Sequence, residues 1–138
     1  MEYIKKYENG LKVVVKEMPS FYSLTVGFCV GVGSCLEDKT NNGFSHFIEH
    51  MMFKGTQKRS AREISESIDR IGGQINAFTS KDMTCYYARV ASEYAEHSVE
   101  ILSDMLLNSL FDEKEMDREK KVILEEITMG DDEPDEVC

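Results

Sequence analysis

Two of the three histidines stand four residues apart, at His46 and His50, with Glu49 between them. In the helix predicted over residues 44–53, this spacing places both imidazoles on one face, roughly 5–6 Å apart at Cβ. Two neutral imidazoles at that separation can hold one metal ion, and a nearby carboxylate can take a proton from a water without binding the metal. The pattern predicts a hydrolytic zinc site. The alternative is a coincidental pair of solvated or helix-capping histidines.

The acidic helix near the end of the sequence offers a third ligand, because peptidase zinc sites usually add a carboxylate to two histidines. Glu119 and Glu126 are seven residues apart and share one helical face. Glu125 points about 100° away from Glu126. One carboxylate of the pair can bind the metal, and the other can hold a ligand imidazole by its free N–H. The alternative is an acidic face that is only solvated.

The elements that must position these residues follow the order ββ, β, αα, ββ, αα. The predicted strands are 3–7, 11–17, 24–32, 74–79 and 83–90, and the predicted helices are 44–53, 61–71, 92–107 and 113–129. The tail 130–134, which contains Gly and Pro, is expected to end the last helix. This order predicts a single α+β domain over residues 1–138, with a mostly antiparallel sheet and the helices packed on one side.

Local signals add detail to this prediction. Asn9-Gly10 is typical of a type I′ hairpin turn. The almost continuous apolar run 27–33 is typical of a strand covered on both faces. Gly43 or Ser45 is expected to cap the histidine helix, and the apolar neighbours of the histidines predict that this helix is buried.

Composition excludes several classes of partner and site. The formal net charge of −10 disfavours nucleic acid and anionic membranes, since both repel an acidic surface. No apolar run approaches the roughly 18 residues of a membrane span, and residues 1–6 resemble neither a signal nor a transit peptide, so a cytoplasmic location is expected. Cys29, Cys35, Cys85 and Cys138 form no Cys-x-x-Cys pair, which argues against a thiolate zinc knuckle, and reduced thiols are expected.

Four segments together resemble the pitrilysin/insulinase family of zinc peptidases, which includes the mitochondrial processing peptidases. The first is His-Phe-Ile-Glu-His-Met-Met-Phe-Lys-Gly-Thr at residues 46–56, an inverted zinc-peptidase motif. Gly-Gly-Gln-Ile-Asn-Ala-Phe-Thr-Ser at 72–80 and Tyr86-Tyr87 resemble the strands beside the family's site. Residues 118–127 resemble the segment of its third ligand, and Glu126 lies 76 residues after His50.

The resemblance implies a role for each matching residue. The zinc ligands would be His46, His50 and Glu126, with Glu49 as general base. Glu119 would hold a ligand imidazole. A peptide substrate would add as a further strand beside Asn76, Ala77 and Phe78, a mode that binds the main chain with little demand on sequence. The alternative for that last segment is an ordinary strand.

Length is the main departure from the family, whose members are much longer and contain two similar halves. The resemblance therefore implies that residues 1–138 are the N-terminal part of the first half. It implies that the longer protein is a zinc endopeptidase that acts on peptides or unfolded segments, with a homodimer as one option for its assembly. The fragment alone is expected to be inactive and to self-associate. The alternative is a non-catalytic family member that binds peptides or assembles with an active partner. A purely structural zinc domain is disfavoured, because such sites usually add a fourth protein ligand, often Cys.

Overall fold

A computed structural model describes residues 1–131 of the chain. The strands are β1 (Glu2–Lys6), β2 (Lys12–Lys16), β3 (Ser23–Val30), β4 (Gln74–Thr79) and β5 (Thr84–Ala91), and the helices are α1 (Phe44–Met52), α2 (Ala61–Asp69), α3 (Ala95–Asn108) and α4 (Glu113–Asp131). The predicted order of elements is confirmed. A short 3-10 turn, Ser92–Tyr94, precedes α3, so that helix begins three residues later than predicted. None of the helices within this part of the chain is long and apolar enough to cross a membrane.

The main sheet has three antiparallel strands in the order β3-β5-β4. β5 is central, and β3 and β4 each present one edge. The hairpin β1–β2 pairs only within itself in the described chain, as a separate two-stranded sheet. The α+β class and the antiparallel pairing are confirmed, whereas the hairpin does not extend the main sheet.

The core lies between one face of this sheet and the helices. The β5 side chains that face the helices are Tyr86, Ala88 and Val90, and they form one buried cluster with α2 and α3. The helix residues of the cluster are Ile64, Ile68, Ile101, Leu102 and Met105. α1 packs against β4, and α4 packs against α1. The predicted gathering of helices on one side is therefore confirmed.

The opposite face of the sheet carries no helix in the part of the chain that is described. Along β3, only Leu24, Val26 and Phe28 are half-buried, and the alternate residues are exposed. The prediction that both faces of this strand are covered was therefore wrong here. Its apolar run reflects one packed face and the small residues Gly27 and Cys29 on the other.

The hairpin turn also differs from the prediction. The N–H of Tyr7 donates to the carbonyl of Leu11, the N–H of Gly10 donates to the carbonyl of Tyr7, and only Gly10 of the turn has a positive φ, at 89°. This is a three-residue loop with glycine in the left-handed region, not the type I′ turn, which needs positive φ at both central residues. The last helix runs through Gly130 to Asp131, and the rest of the tail predicted to end it lies outside the described residues.

A distant carboxylate caps the start of α1. Gly43, one of the two residues predicted to cap this helix, is the N-cap with φ 85° and has no side chain to offer. Instead, Glu37 accepts from the N–H of Ser45 and from the N–H of Gly43, both at 2.7 Å. The hydrogen bonds from Ser45 and then from Gly43 lower the pKa of the Glu37 carboxyl. Gly43 is therefore confirmed as the N-cap, while the hydrogen-bond acceptor at the helix start is Glu37 in the preceding loop.

We predict that Glu37→Ala destabilises the domain by about 1 kcal/mol, the usual cost of losing a carboxylate that caps a helix. Because the hydrogen bonds from Ser45 and Gly43 hold the folded-state pKa of Glu37 below the ordinary pKa of a glutamate, its contribution is present above that ordinary pKa and is lost as the pH falls through the lower folded pKa. Urea unfolding at neutral pH and at acidic pH measures both effects. Glu17→Ala, at an exposed position outside the helices, is the control. Equal stability of the two variants at neutral pH would contradict the prediction.

Candidate metal centre

α1 places His46, Glu49 and His50 between β4 on one side and α4 on the other. The helix is less buried than predicted. Ser45 and Met51 are buried and both histidines are partly covered, but Phe44 is 56% exposed. The histidine face is open to solvent along part of its length, since the side chain of His46 is 42% exposed, as a site that admits a ligand requires.

Three donor atoms from two helices converge at this face. Nε2 of His46 and Nε2 of His50 are 3.0 Å apart. Oε2 of Glu126 lies 3.6 Å from the His50 nitrogen and 3.9 Å from the His46 nitrogen. All three ligand atoms lie within 4.8 Å of one another. Glu125 is not in this group, although it adjoins Glu126 in sequence.

The donor set fits zinc. A tetrahedral ion with zinc–nitrogen bonds of about 2.0–2.1 Å keeps two ring nitrogens roughly 3.3 Å apart, close to the spacing of the two Nε2 atoms. Two imidazoles and one carboxylate leave one tetrahedral position for water or substrate, which distinguishes hydrolytic zinc sites from closed structural ones.

Glu119 fixes the orientation of His50. Its Oε1 lies 2.9 Å from Nδ1 of His50, and its Oε2 lies 2.5 Å from Nζ of Lys54. Glu119 is only 4% exposed. Burial raises the pKa of its carboxyl, but the hydrogen bonds and charges of Lys54 and His50 outweigh burial and hold that pKa below its usual value. As an acceptor at Nδ1, this carboxylate places the ring proton there and leaves Nε2 free to bind a metal.

Glu49 stands apart from the three converging donors. The hydroxyl of Thr79, the last residue of β4, donates to Oε2 of Glu49 at 2.5 Å. Burial, reinforced by the negative charge of Glu49, raises the pKa of the nearby Tyr86 phenol to about 12. Tyr86 therefore stays neutral at physiological pH. Glu49 itself has one oxygen held by Thr79 and lies outside the group of three converging donors.

The sequence analysis missed the roles of Lys54 and Thr79. Both lie in segments that it compared with the peptidase family, and strand alternation offered a further signal for Thr79. Ile75, Ala77 and Thr79 share the face that meets the helices, so a hydroxyl at the end of this row must lie near α1. For Lys54, which follows α1, sequence gives no comparable signal.

The strand β4 is an edge of the sheet, as expected for the segment of Asn76, Ala77 and Phe78. Ala77 packs against the core, whereas Asn76 and Phe78 are exposed on the other face. The N–H of Ala77 donates to the side-chain oxygen of Asn76 at 2.8 Å. Phe78 is 44% exposed, and its ring centroid lies 6.4 Å from that of Tyr87. These three residues adjoin Glu49 through Thr79 but are not part of the group of three converging donors.

A helix that presents two histidines and a separate glutamate, completed by a glutamate from a distant helix, defines the class of metal-dependent hydrolases with an inverted motif. Comparison with known proteins gives the family. The pattern of Insulinase (Peptidase family M16) matches residues 12–138, and the chain belongs to this family.

Similar proteins agree with this membership. A Bacillus subtilis (strain 168) protein described as the uncharacterized zinc protease YmxG is 52% identical over 136 residues, which are 97% of this chain and 33% of that protein. The Streptomyces coelicolor uncharacterized zinc protease SCO5738 is 47% identical over 126 residues, covering 91% of this chain and 28% of that protein. A solved structure of a protease from Helicobacter pylori superposes with a TM-score of 0.86 at 30% identity, covering 91% of this chain and 30% of that one.

Two conclusions follow from these comparisons. The cofactor of the family is zinc, which confirms the metal predicted from the sequence. The chain spans about a third of the length of the curated relatives that it matches.

We predict that Glu126→Gln sharply weakens zinc binding, while Glu125→Gln barely changes it, because only Glu126 has an oxygen near both Nε2 atoms. Glu119→Gln should fall between them, with a loss of about 10- to 100-fold, which is typical when a partner of a ligand histidine is removed. Competition with a chromogenic chelator measures the three affinities on the 138-residue chain. An equal loss in the two neighbouring variants would refute the ligand assignment.

Proposed function

We propose that this chain carries the zinc-binding and proton-transfer residues of an endopeptidase that hydrolyses peptides or unfolded segments. The observation that carries the proposal is the separation of roles on one helix face. Three donors converge on one point, while Glu49 stays outside them with one oxygen held by Thr79. Membership of a peptidase family supports the same reaction class.

In this proposal His46, His50 and Glu126 hold the zinc ion. When bound there, zinc would lower the pKa of a coordinated water to about 7 and would polarise a substrate carbonyl. Glu119 keeps the His50 ring in the tautomer and orientation that ligation needs, and Lys54 neutralises the buried Glu119 carboxylate. The chain thus supplies the charge balance and the geometry of the site before substrate arrives.

Glu49 acts as the general base and then as the general acid. The hydroxyl of Thr79 occupies Oε2, so Oε1 is the atom left to accept a proton from the attacking water. After attack on the scissile carbonyl, Glu49 gives this proton to the departing amine. Thr79 restricts rotation of the carboxylate, which helps to keep Oε1 directed at the water.

The strand β4, whose outer edge has no partner strand within the described residues, is the proposed binding strand for the peptide. A substrate in extended form can add beside it by main-chain hydrogen bonds. In the structure Asn76 already accepts from the N–H of Ala77, so its amide oxygen occupies a place that a substrate carbonyl could take. Because β4 also carries Thr79, a strand docked on this edge would run close to the base.

We predict that Glu49→Gln, in the longer protein that we propose contains this chain, keeps its zinc and loses peptide cleavage. Glutamine retains the size of the side chain but cannot accept the proton. Metal content by atomic emission and cleavage of an unstructured fluorogenic peptide measure the two properties. Asp69→Asn, at the distant end of α2, is a matched control for loss of a carboxylate. Normal cleavage by the metal-loaded Glu49→Gln variant would overturn the mechanism. If the unsubstituted longer protein binds zinc but does not cleave the peptide, the alternative of a non-catalytic, peptide-binding family member is favoured.

We also predict that the isolated 138-residue chain is folded and self-associates but has negligible turnover. The face that carries the candidate metal ligands is open to solvent, because the side chain of His46 is 42% exposed and that of Glu126 is 47% exposed. Water therefore enters the site freely. Hydrogen-bond donors that stabilise an oxyanion each raise the rate about 10²–10³-fold, but they need a site that excludes water, so turnover by the isolated chain should be negligible. The hairpin leaves apolar side chains such as Val14 (52% exposed) and Tyr3 (50%) in solvent, a surface that favours association.

Light scattering and a peptide assay test this pair of expectations. Light scattering that shows only a monomer would contradict the predicted self-association. Cleavage that needs zinc, stops with a chelator and is abolished by Glu49→Gln would show that the isolated chain is active. For the longer protein that we propose contains this chain, a homodimeric assembly, a role in processing other proteins and a cytoplasmic location stay predictions.

A further inference from the structure

Two cysteines that are far apart in sequence meet on the helix-free face of the main sheet. Cys29 of β3 lies directly opposite Cys85 of β5 in the antiparallel register. Their Sγ atoms are 3.2 Å apart. We propose that Cys29 and Cys85 form a redox-active dithiol, a modification site that closes reversibly to a disulfide by exchange with small-molecule disulfides such as oxidised glutathione.

Strand pairing provides the geometry for this bond. Directly opposed residues of antiparallel strands have Cα atoms about 4.5 or 5.5 Å apart, and both values lie within the 4.4–6.8 Å range of disulfides. The sulfur atoms are already in contact, so closure to about 2.05 Å needs small side-chain rotations and no change of register. The sequence analysis predicted reduced thiols, because the pairing of β3 with β5 is not visible from the spacing of the cysteines.

The two thiols differ in access, which fixes the order of events. Cys29 is exposed and Cys85 is buried. Burial, followed by the hydrogen bond between the two thiols and the charge of Cys29, raises the pKa of the Cys85 thiol to about 11. Cys29 is therefore the thiol that an external disulfide reaches first, and Cys85 is the thiol that resolves the mixed disulfide.

The exchange balances in two steps. Cys29 loses its proton, and its sulfur attacks one sulfur of oxidised glutathione, which releases one glutathione thiolate and leaves a mixed disulfide. Cys85 then loses its proton and attacks Sγ of Cys29, which releases the second glutathione thiolate. The two protons from the protein end on the two glutathione molecules. The protein is oxidised by two electrons, and one oxidised glutathione is reduced to two thiols.

The bond would tie an edge strand to the centre of the sheet. β3 has β5 as its hydrogen-bonded neighbour in the described chain, so a covalent link between them restrains the edge that is otherwise held from one side. The link also closes a long loop between residues 29 and 85, and disulfides that close long loops constrain the unfolded chain most. An exposed member makes such a bond accessible to reducing thiols, as is typical of reversible rather than permanent disulfides.

The test uses the 138-residue chain with Cys35→Ser and Cys138→Ser, so that only the opposed pair can react. After incubation with oxidised glutathione and alkylation of remaining thiols, intact mass spectrometry should show an unalkylated protein about 2 Da lighter than the reduced form, for two hydrogens lost. Digestion should yield one peptide pair that joins Cys29 to Cys85. Dithiothreitol should restore both thiols, and the oxidised form should melt at a higher temperature than the reduced form.

Single variants in the same background separate the two roles. Cys85→Ser should accumulate a stable glutathione adduct on Cys29, and Cys29→Ser should resist modification while it stays folded by circular dichroism. A lasting adduct on Cys29 when Cys85 is present, or two thiols that stay unreacted, would overturn the proposal. Peptide mapping of the unsubstituted chain gives the same answer without the serine substitutions, and a Cys29–Cys35 link there would also contradict it.

Discussion

The metal centre depends on the hydrogen bond between Glu119 and Nδ1 of His50. A carboxylate that is 4% exposed is stable only with partners, and here it has two, since Lys54 takes its second oxygen. This three-residue contact joins α1 to α4 and sets the rotation of α4 about its axis. Over residues 113–128 of α4, where burial is described, Ile123 is the buried apolar residue, so polar pairing and one isoleucine together hold Glu126 at the histidines.

Helical spacing predicted which candidate ligands share a face, and the resemblance to the family then favoured Glu126 over Glu119. His46 and His50 are one turn apart, and Glu119 and Glu126 are nearly two turns apart, so each pair shares a face whatever the rest of the chain does. The same rule separated Glu126 from Glu125. Element order was also predictable, because apolar periodicity and Gly-rich turns are properties of short segments. The helix-side packing followed from the general rule that helices cover one face of an antiparallel sheet.

Contacts between distant segments could not be predicted from the spacing and periodicity of short segments. Thr79 meets Glu49 only because β4 lies beside α1, and Cys29 meets Cys85 only in one register of β3 against β5. Gly43 is the N-cap as predicted, but the acceptor for its N–H is Glu37, six residues earlier in the preceding loop. Burial was misjudged for a related reason, since apolar composition does not tell how many faces of an element are covered. Both α1 and β3 have more exposed surface than their sequences indicated.

The two faces of β4 have consequences for how this chain tolerates changes in length. Side chains alternate along a strand, so inserting or deleting one residue within β4 would exchange its faces. Phe78 or its neighbour would then face the histidine helix, and the hydroxyl of Thr79 would point away from Glu49. Such an indel would damage the proposed docking edge and the orientation of the base in a single event. Natural length variation is therefore expected elsewhere, as in the turn of the β1–β2 hairpin, whose sheet is separate from that of β4.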